Sequence, residues 1–166
     1  MSKQLLILRH AKSDHADPRL RDHDRPLNQR GREAAHRMGA FMSERGLLPD
    51  LVLYSSSLRT TETLEILQRS SGLEAPTESS DALYLASPTA MLEVLAEHAR
   101  EEDRVMLVGH NPGSEDVLHV LGLGMHEMPT CTLAHVELEI EDWSLVQGSI
   151  DARLVDLWRV KHLPVS

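Results

Sequence analysis

Three short apolar runs, Leu5–Leu8, Leu51–Tyr54 and Val105–Val108, constrain the fold of this chain more than any other feature. Each is nearly uninterrupted, and each gives way to polar or turn residues and then to a helical pattern. A strand with one wet face alternates apolar with polar residues, whereas a continuous run suits a strand covered on both faces. Such strands separated by helices predict an α/β fold: a three-layer α/β/α sandwich around a mostly parallel central sheet. The 166 residues fit a single domain over 1–166 with a sizeable core. Aromatic residues are only 3%, so that core has to be Leu, Val, Ile, Met and Ala.

The intervening segments carry helical periodicity. From Asn28 to Arg45, the residues Ala34, Ala35, Met38, Phe41 and Met42 share one stripe, with Gly46 as the expected C-terminal cap. A second helix is predicted from near Ser57 through Leu64 and Leu67. A third takes Ser87 as N-cap and Pro88 at its first position, and turns Met91, Leu92, Leu95, Ala96 and Ala99 inward. A fourth follows Asn111-Pro112, with Asn111 as N-cap and Val117, Leu118 and Leu121 inward. Thr132–Ile140 alternates, which predicts a half-exposed antiparallel strand, and Ile150–Trp158 reads as one more strand.

Charge and composition narrow the partners. A net charge of −9 argues against a general nucleic-acid binder, which needs a basic surface to displace phosphate counterions. A lone Cys131 excludes an internal disulfide framework. The apolar run near the N-terminus is too short for a signal-peptide core or a membrane span, so a cytoplasmic protein with no membrane partner is expected. The ten histidines include no His-x-x-x-His or His-x-His pair, and Asp22-His23-Asp24 reads as a polar loop, so no metal site is expected. No cofactor fingerprint appears either, since Leu121-Gly122-Leu123-Gly124 follows no strand and precedes no helix.

Three segments carry candidate chemistry, each just after a predicted strand: Arg9-His10-Ala11-Lys12-Ser13, Ser55-Ser56-Ser57-Leu58-Arg59-Thr60 and Gly109-His110-Asn111-Pro112-Gly113. Ligands of open α/β sheets bind at the carboxyl ends of the strands. If the three strands are neighbours, Arg9, His10, Arg59 and His110 converge, and such a cationic cluster calls for an anion. A phosphoryl group fits: it accepts paired hydrogen bonds from Arg and favours helix N-termini. Neutral imidazole is a nucleophile toward phosphorus, and the arginines would neutralise charge on the transferring group. Ser13, Lys12 and Asn111 are further candidates for holding phosphate or substrate. Arg25 reads as a solvated or helix-capping residue.

The order, spacing and strand-end context of these segments resemble the histidine phosphatase superfamily, which includes the phosphoglycerate mutases. Arg9-His10-Ala11-Lys12-Ser13 resembles its nucleophile signature, Leu53–Thr63 its phosphate-binding Arg segment, and Leu107–Gly113 the segment with its second His. The short length, Ala11, and Asp24-Arg25-Pro26-Leu27 are most similar to the SixA-type phosphohistidine phosphatases. The resemblance implies a phosphoglycerate mutase-like fold, transient phosphorylation of His10, phosphoryl binding by Arg9, Arg59 and His110, and no metal. It makes Asp81 the positional match for a leaving-group acid, with Glu78 second. A labile P–N bond makes a weak acid tolerable, so Asp81 could equally be a bystander. The expected partner is phosphohistidine on a protein; the alternatives are a small phosphate ester or a silent phosphoprotein-binding domain.

Overall fold

The structure, a computed structural model, describes residues 2–164. One sheet holds β1 (Lys3–Arg9), β2 (Leu51–Ser55), β3 (Thr77–Ser80), β4 (Arg104–Gly109), β5 (Leu133–Leu138) and β6 (Ala152–Trp158), in the order β3-β2-β4-β1-β5-β6. The first four run parallel to their neighbours; β5 runs against β1, and β6 against β5. The helices are α1 (Gln29–Glu44), α2 (Leu58–Ser71), α3 (Pro88–His98) and α4 (Gly113–Val120).

The apolar runs are continuous because both sheet faces are covered. Leu5 and Ile7 of β1, with Val105 and Leu107 of β4, pack against α3 and α4. Leu6, Leu8, Met106 and Val108 point the other way, into the layer of α1 and α2. Leu5 through Leu8 are all fully buried. Each such side chain contributes about 1.5–3 kcal/mol when taken out of water, so helices on one face alone would forfeit half of that gain. Among the described residues no helix is long and apolar enough to cross a membrane.

Side-chain caps start three of the helices: Asn28 accepts from Gly31 N, Ser57 from Thr60 N and Ser87 from Ala90 N. Arg45 ends α1, and Gly46 follows at φ 64, where a missing Cβ removes the left-handed penalty. The expected Asn111 cap is not formed. Pro112 takes the cap position after a cis Asn111–Pro112 bond, and the Asn111 amide donates to Glu115 Oε2 at 2.6 Å and Met128 O at 2.9 Å. The start of α4 is still tied to His110, whose carbonyl accepts from Ser114 N at 2.9 Å.

β5 runs antiparallel as expected and keeps its alternation: Ala134, Val136 and Leu138 are buried in the α3/α4 layer, His135 and Glu137 on the other face are partly exposed, and only Leu133 on that face is buried, in the α1/α2 layer. One strand was not expected. β3 has the sequence Thr-Glu-Ser-Ser, with no apolar pattern, and holds its place at the sheet edge through backbone pairing with β2.

The loop after β1 is fixed by α1. A Cβ on Gly31 would overlap the Lys12 carbonyl oxygen, and Asn28 N donates to that same oxygen at 3.0 Å. The first turn of α1 therefore lies directly on the backbone two residues beyond His10.

Candidate active site

The parallel register brings the three sequence segments to one sheet edge. Arg9 lies opposite Gly109 and Tyr54 opposite Val108, so His10, His110 and Ser55 follow side by side at the carboxyl ends of β1, β4 and β2. The imidazole centroids of His10 and His110 are 5.1 Å apart. Arg59, in the first turn of α2, reaches between them, its Nε donating to His10 Nε2 and its terminal nitrogen to His110 Nδ1, each at 3.3 Å. All three side chains are buried.

The hydrogen bonds set both tautomers. His10 Nδ1 sits 2.7 Å from the carbonyl of Ala11 and must donate to it, which leaves a lone pair on Nε2 facing Arg59. The loop is pinned beneath, where Ala11 N donates to Thr63 Oγ1 at 3.0 Å. His110 accepts from Arg59 at Nδ1 and so donates from Nε2 to Ser55 Oγ, at 2.8 Å. Burial, opposed in part by the Ala11 carbonyl and reinforced by Arg59, pushes the His10 pKa down to about 4. Burial, with His10 and Arg59 nearby, takes His110 down to about 3. Both rings are therefore neutral at pH 7.

This has a consequence for stability. The unfolded chain protonates its histidines near pH 6.5. Between that value and the folded values, the unfolded state binds more protons, so stability is full above pH 6.5 and falls as the pH drops toward 4. Urea unfolding of the ligand-free protein should show a lower midpoint at pH 5 than at pH 7.5. His110→Ala should show a smaller difference; an unchanged difference would contradict the burial argument.

Arg9 lies at the same edge. One terminal nitrogen donates to Met128 O at 3.1 Å, while its buried Nε meets no acceptor among the described residues. A buried guanidinium donor without a partner is costly, and an oxyanion in the site would satisfy it. Desolvation lowers the Arg9 pKa.

The sequence reading missed Asp22, which was absorbed into a polar loop. Asp22–Asp24 forms a single 3-10 turn that brings Asp22 onto Arg59: Oδ2 accepts from Arg59 at 3.0 Å, and the Asp22 carbonyl accepts from it at 2.8 Å. Tyr84 OH donates to the same carboxylate. Arg25 is held there too, donating to Asp22 Oδ1 at 2.7 Å and Ser13 Oγ at 3.0 Å, so it lies on the rim rather than in solvent. Tyr84, with Arg25 and Arg59, holds the Asp22 carboxyl far below the usual range. Only the density of Asp22-His23-Asp24 could have signalled this.

The remaining candidates lie outside this knot. Asp81 is exposed, and its carboxylate accepts from Ser56 Oγ, which also contacts His23 Nε2 at 3.0 Å. Among the described residues it has no direct contact with His10, Arg59 or His110. Glu78 pairs instead with His98 on the outer edge. Ser13 is buried beneath Arg25, Lys12 is exposed, and Asn111 braces Met128 and Glu115 behind Arg9. The described residues hold no group of three His, Cys, Asp or Glu side chains placed to bind a metal ion.

The chain matches known proteins at the level of family. Residues 5–84 match the family described as Histidine phosphatase superfamily (branch 1). An uncharacterized chloroplastic protein of Arabidopsis thaliana is 33% identical over 154 residues, spanning 86% of this chain and 70% of its own. The crystal structure of SixA from Agrobacterium tumefaciens is 30% identical and covers 95% of this chain and 97% of its own, with a TM-score of 0.81. A SixA solved with tungstate shares the fold at a TM-score of 0.79 and 19% identity, covering 97% and 99% of the two chains. With the order of its strands, its paired histidines and these relatives together, the chain belongs to the histidine phosphatase superfamily, in the SixA-type group.

Proposed function

We propose that this chain is a phosphatase that hydrolyses phosphohistidine on a protein through a phosphorylated His10. The observation that carries this reading is a neutral, buried imidazole with its Nε2 lone pair turned toward the Arg59 guanidinium. In the first step His10 Nε2 forms a bond to phosphorus while the substrate's P–N bond breaks and its imidazole takes up a proton. In the second, water attacks phosphorus, releasing inorganic phosphate and free His10. Arg9 and Arg59 hold the equatorial oxygens as charge shifts. The phosphoryl dianion offsets the two arginine charges, so His110 can take a proton and donate it to a phosphoryl oxygen.

The carboxylates favour phosphohistidine over an alkyl ester. An ester needs a proton on its departing oxygen, and a general acid must hold that proton near the working pH. Asp22 is kept ionised, and the carboxylate of Asp81 is occupied by Ser56. A departing imidazole needs no such group because it is basic enough to be protonated by water. The same reading has residues 1–166 acting as one domain in the cytoplasm, without metal or other cofactor, so EDTA should leave turnover unchanged.

The test is a comparison of substrates. Purified protein should release phosphate from a phosphohistidine-bearing protein at least about a hundredfold faster than from phosphoserine, whose departing alkoxide needs a proton, judged by kcat/KM, the scale of one general-acid contribution. Comparable rates on sugar phosphates would assign the chain to small-molecule esters. Binding of phosphoprotein with no phosphate release would make it a silent binding domain.

A further inference from the structure

We propose that a basic groove beside the catalytic cup docks the acidic polypeptide that carries the phosphohistidine, an inference that rests on the function proposed above. The groove encloses about 780 Å³. Five cations line it, Lys12, Arg30, Arg37, Arg159 and Lys161, against two carboxylates, Glu33 and Glu127. This concentration of positive charge belongs to a chain of net −9.

These cations are free in a way that Arg25 and Arg59 at the cup are not. Arg25 and Arg59 are both paired with Asp22. Among the described residues none of the five groove cations has a carboxylate within ion-pair distance. Arg159 alone is steered, donating to the Glu127 carbonyl at 2.7 Å. Like charges gathered around one concavity repel each other unless an anionic partner enters it.

The fold builds the groove from four separate segments. Arg30, Ala34 and Arg37 fall on one stripe of α1, three and four residues apart. Lys12 comes from the loop after β1, Pro129 from the loop before β5, and Lys161 from the 3-10 turn after β6. Two of its lining residues directly follow, in the chain, residues that build the cup. Lys12 follows Ala11, whose carbonyl orients His10, and Pro129 follows Met128, whose carbonyl holds Arg9. A free small phosphate would fill the cup and leave the groove idle. A phosphohistidine within a polypeptide has flanking residues that must lie somewhere, and this is the adjoining cationic surface.

The occupant fits a short acidic segment better than a longer polyanion. Outside the groove the chain's acidic excess repels an extended nucleic acid or a flat anionic membrane. Glu33 and Glu127 also set a limit, because a uniformly anionic partner would meet them as well as the cations. Docking of this kind acts on encounter and KM and weakens with salt, leaving the chemical step unchanged.

The test uses two peptides carrying the same phosphohistidine, one flanked by Glu and Asp and one by Ser and Gly, with non-hydrolysable phosphonotriazole versions for binding. Wild-type protein is expected to favour the acidic peptide by about tenfold or more in KM and in Kd, less at high salt. Arg37→Glu with Lys161→Glu, both exposed and outside the cup, should erase that preference while kcat on p-nitrophenyl phosphate stays at the wild-type value. Arg30→Glu alone should weaken it partly, and wild-type activity on p-nitrophenyl phosphate certifies folding. Equal treatment of the two peptides, or a preference that survives the double reversal, overturns docking while phosphohistidine hydrolysis continues. Absence of hydrolysis with Arg37- and Lys161-dependent binding overturns the function and keeps the groove. Equally tight, groove-dependent capture of single-stranded RNA or phosphatidylserine vesicles overturns the acidic peptide as occupant.

Discussion

Replacing His10 with Ala should abolish turnover, by about a thousandfold or more, as for removal of a nucleophile that acts as one unit with its neighbours. The folded state should persist. The imidazole is 6% exposed, packs against His110 and bonds to the Ala11 carbonyl and Arg59, so truncation costs two hydrogen bonds and some packing while leaving the pairing of β1 with β4 and β5 intact. Circular dichroism and a thermal scan should stay near wild type, within about 1–2 kcal/mol of stability. Brief exposure of wild-type protein to substrate, quenched in base, should label one histidine with phosphate, and His10→Ala should not label. Retention of most activity in His10→Ala would end the two-step mechanism.

Arg59→Ala has the second largest expected effect, a loss of about a hundredfold to a thousandfold in kcat, the measure of one preorganised donor to a transferring charge. Arg59 contacts both imidazoles and both the carboxylate and the carbonyl of Asp22. Its removal therefore takes away a phosphoryl clamp and leaves Asp22 with only Arg25 and Tyr84. Arg59→Lys should recover little, because a single ammonium cannot span two rings and a carboxylate at once. Calorimetric titration with inorganic phosphate supplies the check: binding as tight in Arg59→Ala as in wild type would remove Arg59 from the phosphate site.

The sheet was legible in sequence where burial dictates composition. β1, β2 and β4 lie inside two helical layers and are apolar along their central runs, and Ser87 caps α3 as its position predicts. β3 was illegible because an edge strand held by backbone pairing makes no demand on its side chains. In the site, Arg9, His10, Arg59 and His110 follow directly from strand ends, so motif and topology place them together. Asp22 and Tyr84 do not. They meet across 62 residues of sequence, one from a 3-10 turn and one from the loop before α3, and no local pattern encodes that approach. Asn111 misled in another way: its side chain turned to Glu115 and Met128 instead of capping α4.

The contact between Gly31 and Lys12 has an architectural consequence. With no room for a methyl group between the opening turn of α1 and the nucleophile's loop, helix and loop form a single mechanical part. The outer face of that same helix carries Arg30 and Arg37. A change that tilts α1, whether by repacking beneath Met38 or by a bulkier residue at 31, would carry the His10 ring out of its present position. Redesign of partner choice is therefore safer through the charges on the helix's outside than through its seat on the sheet.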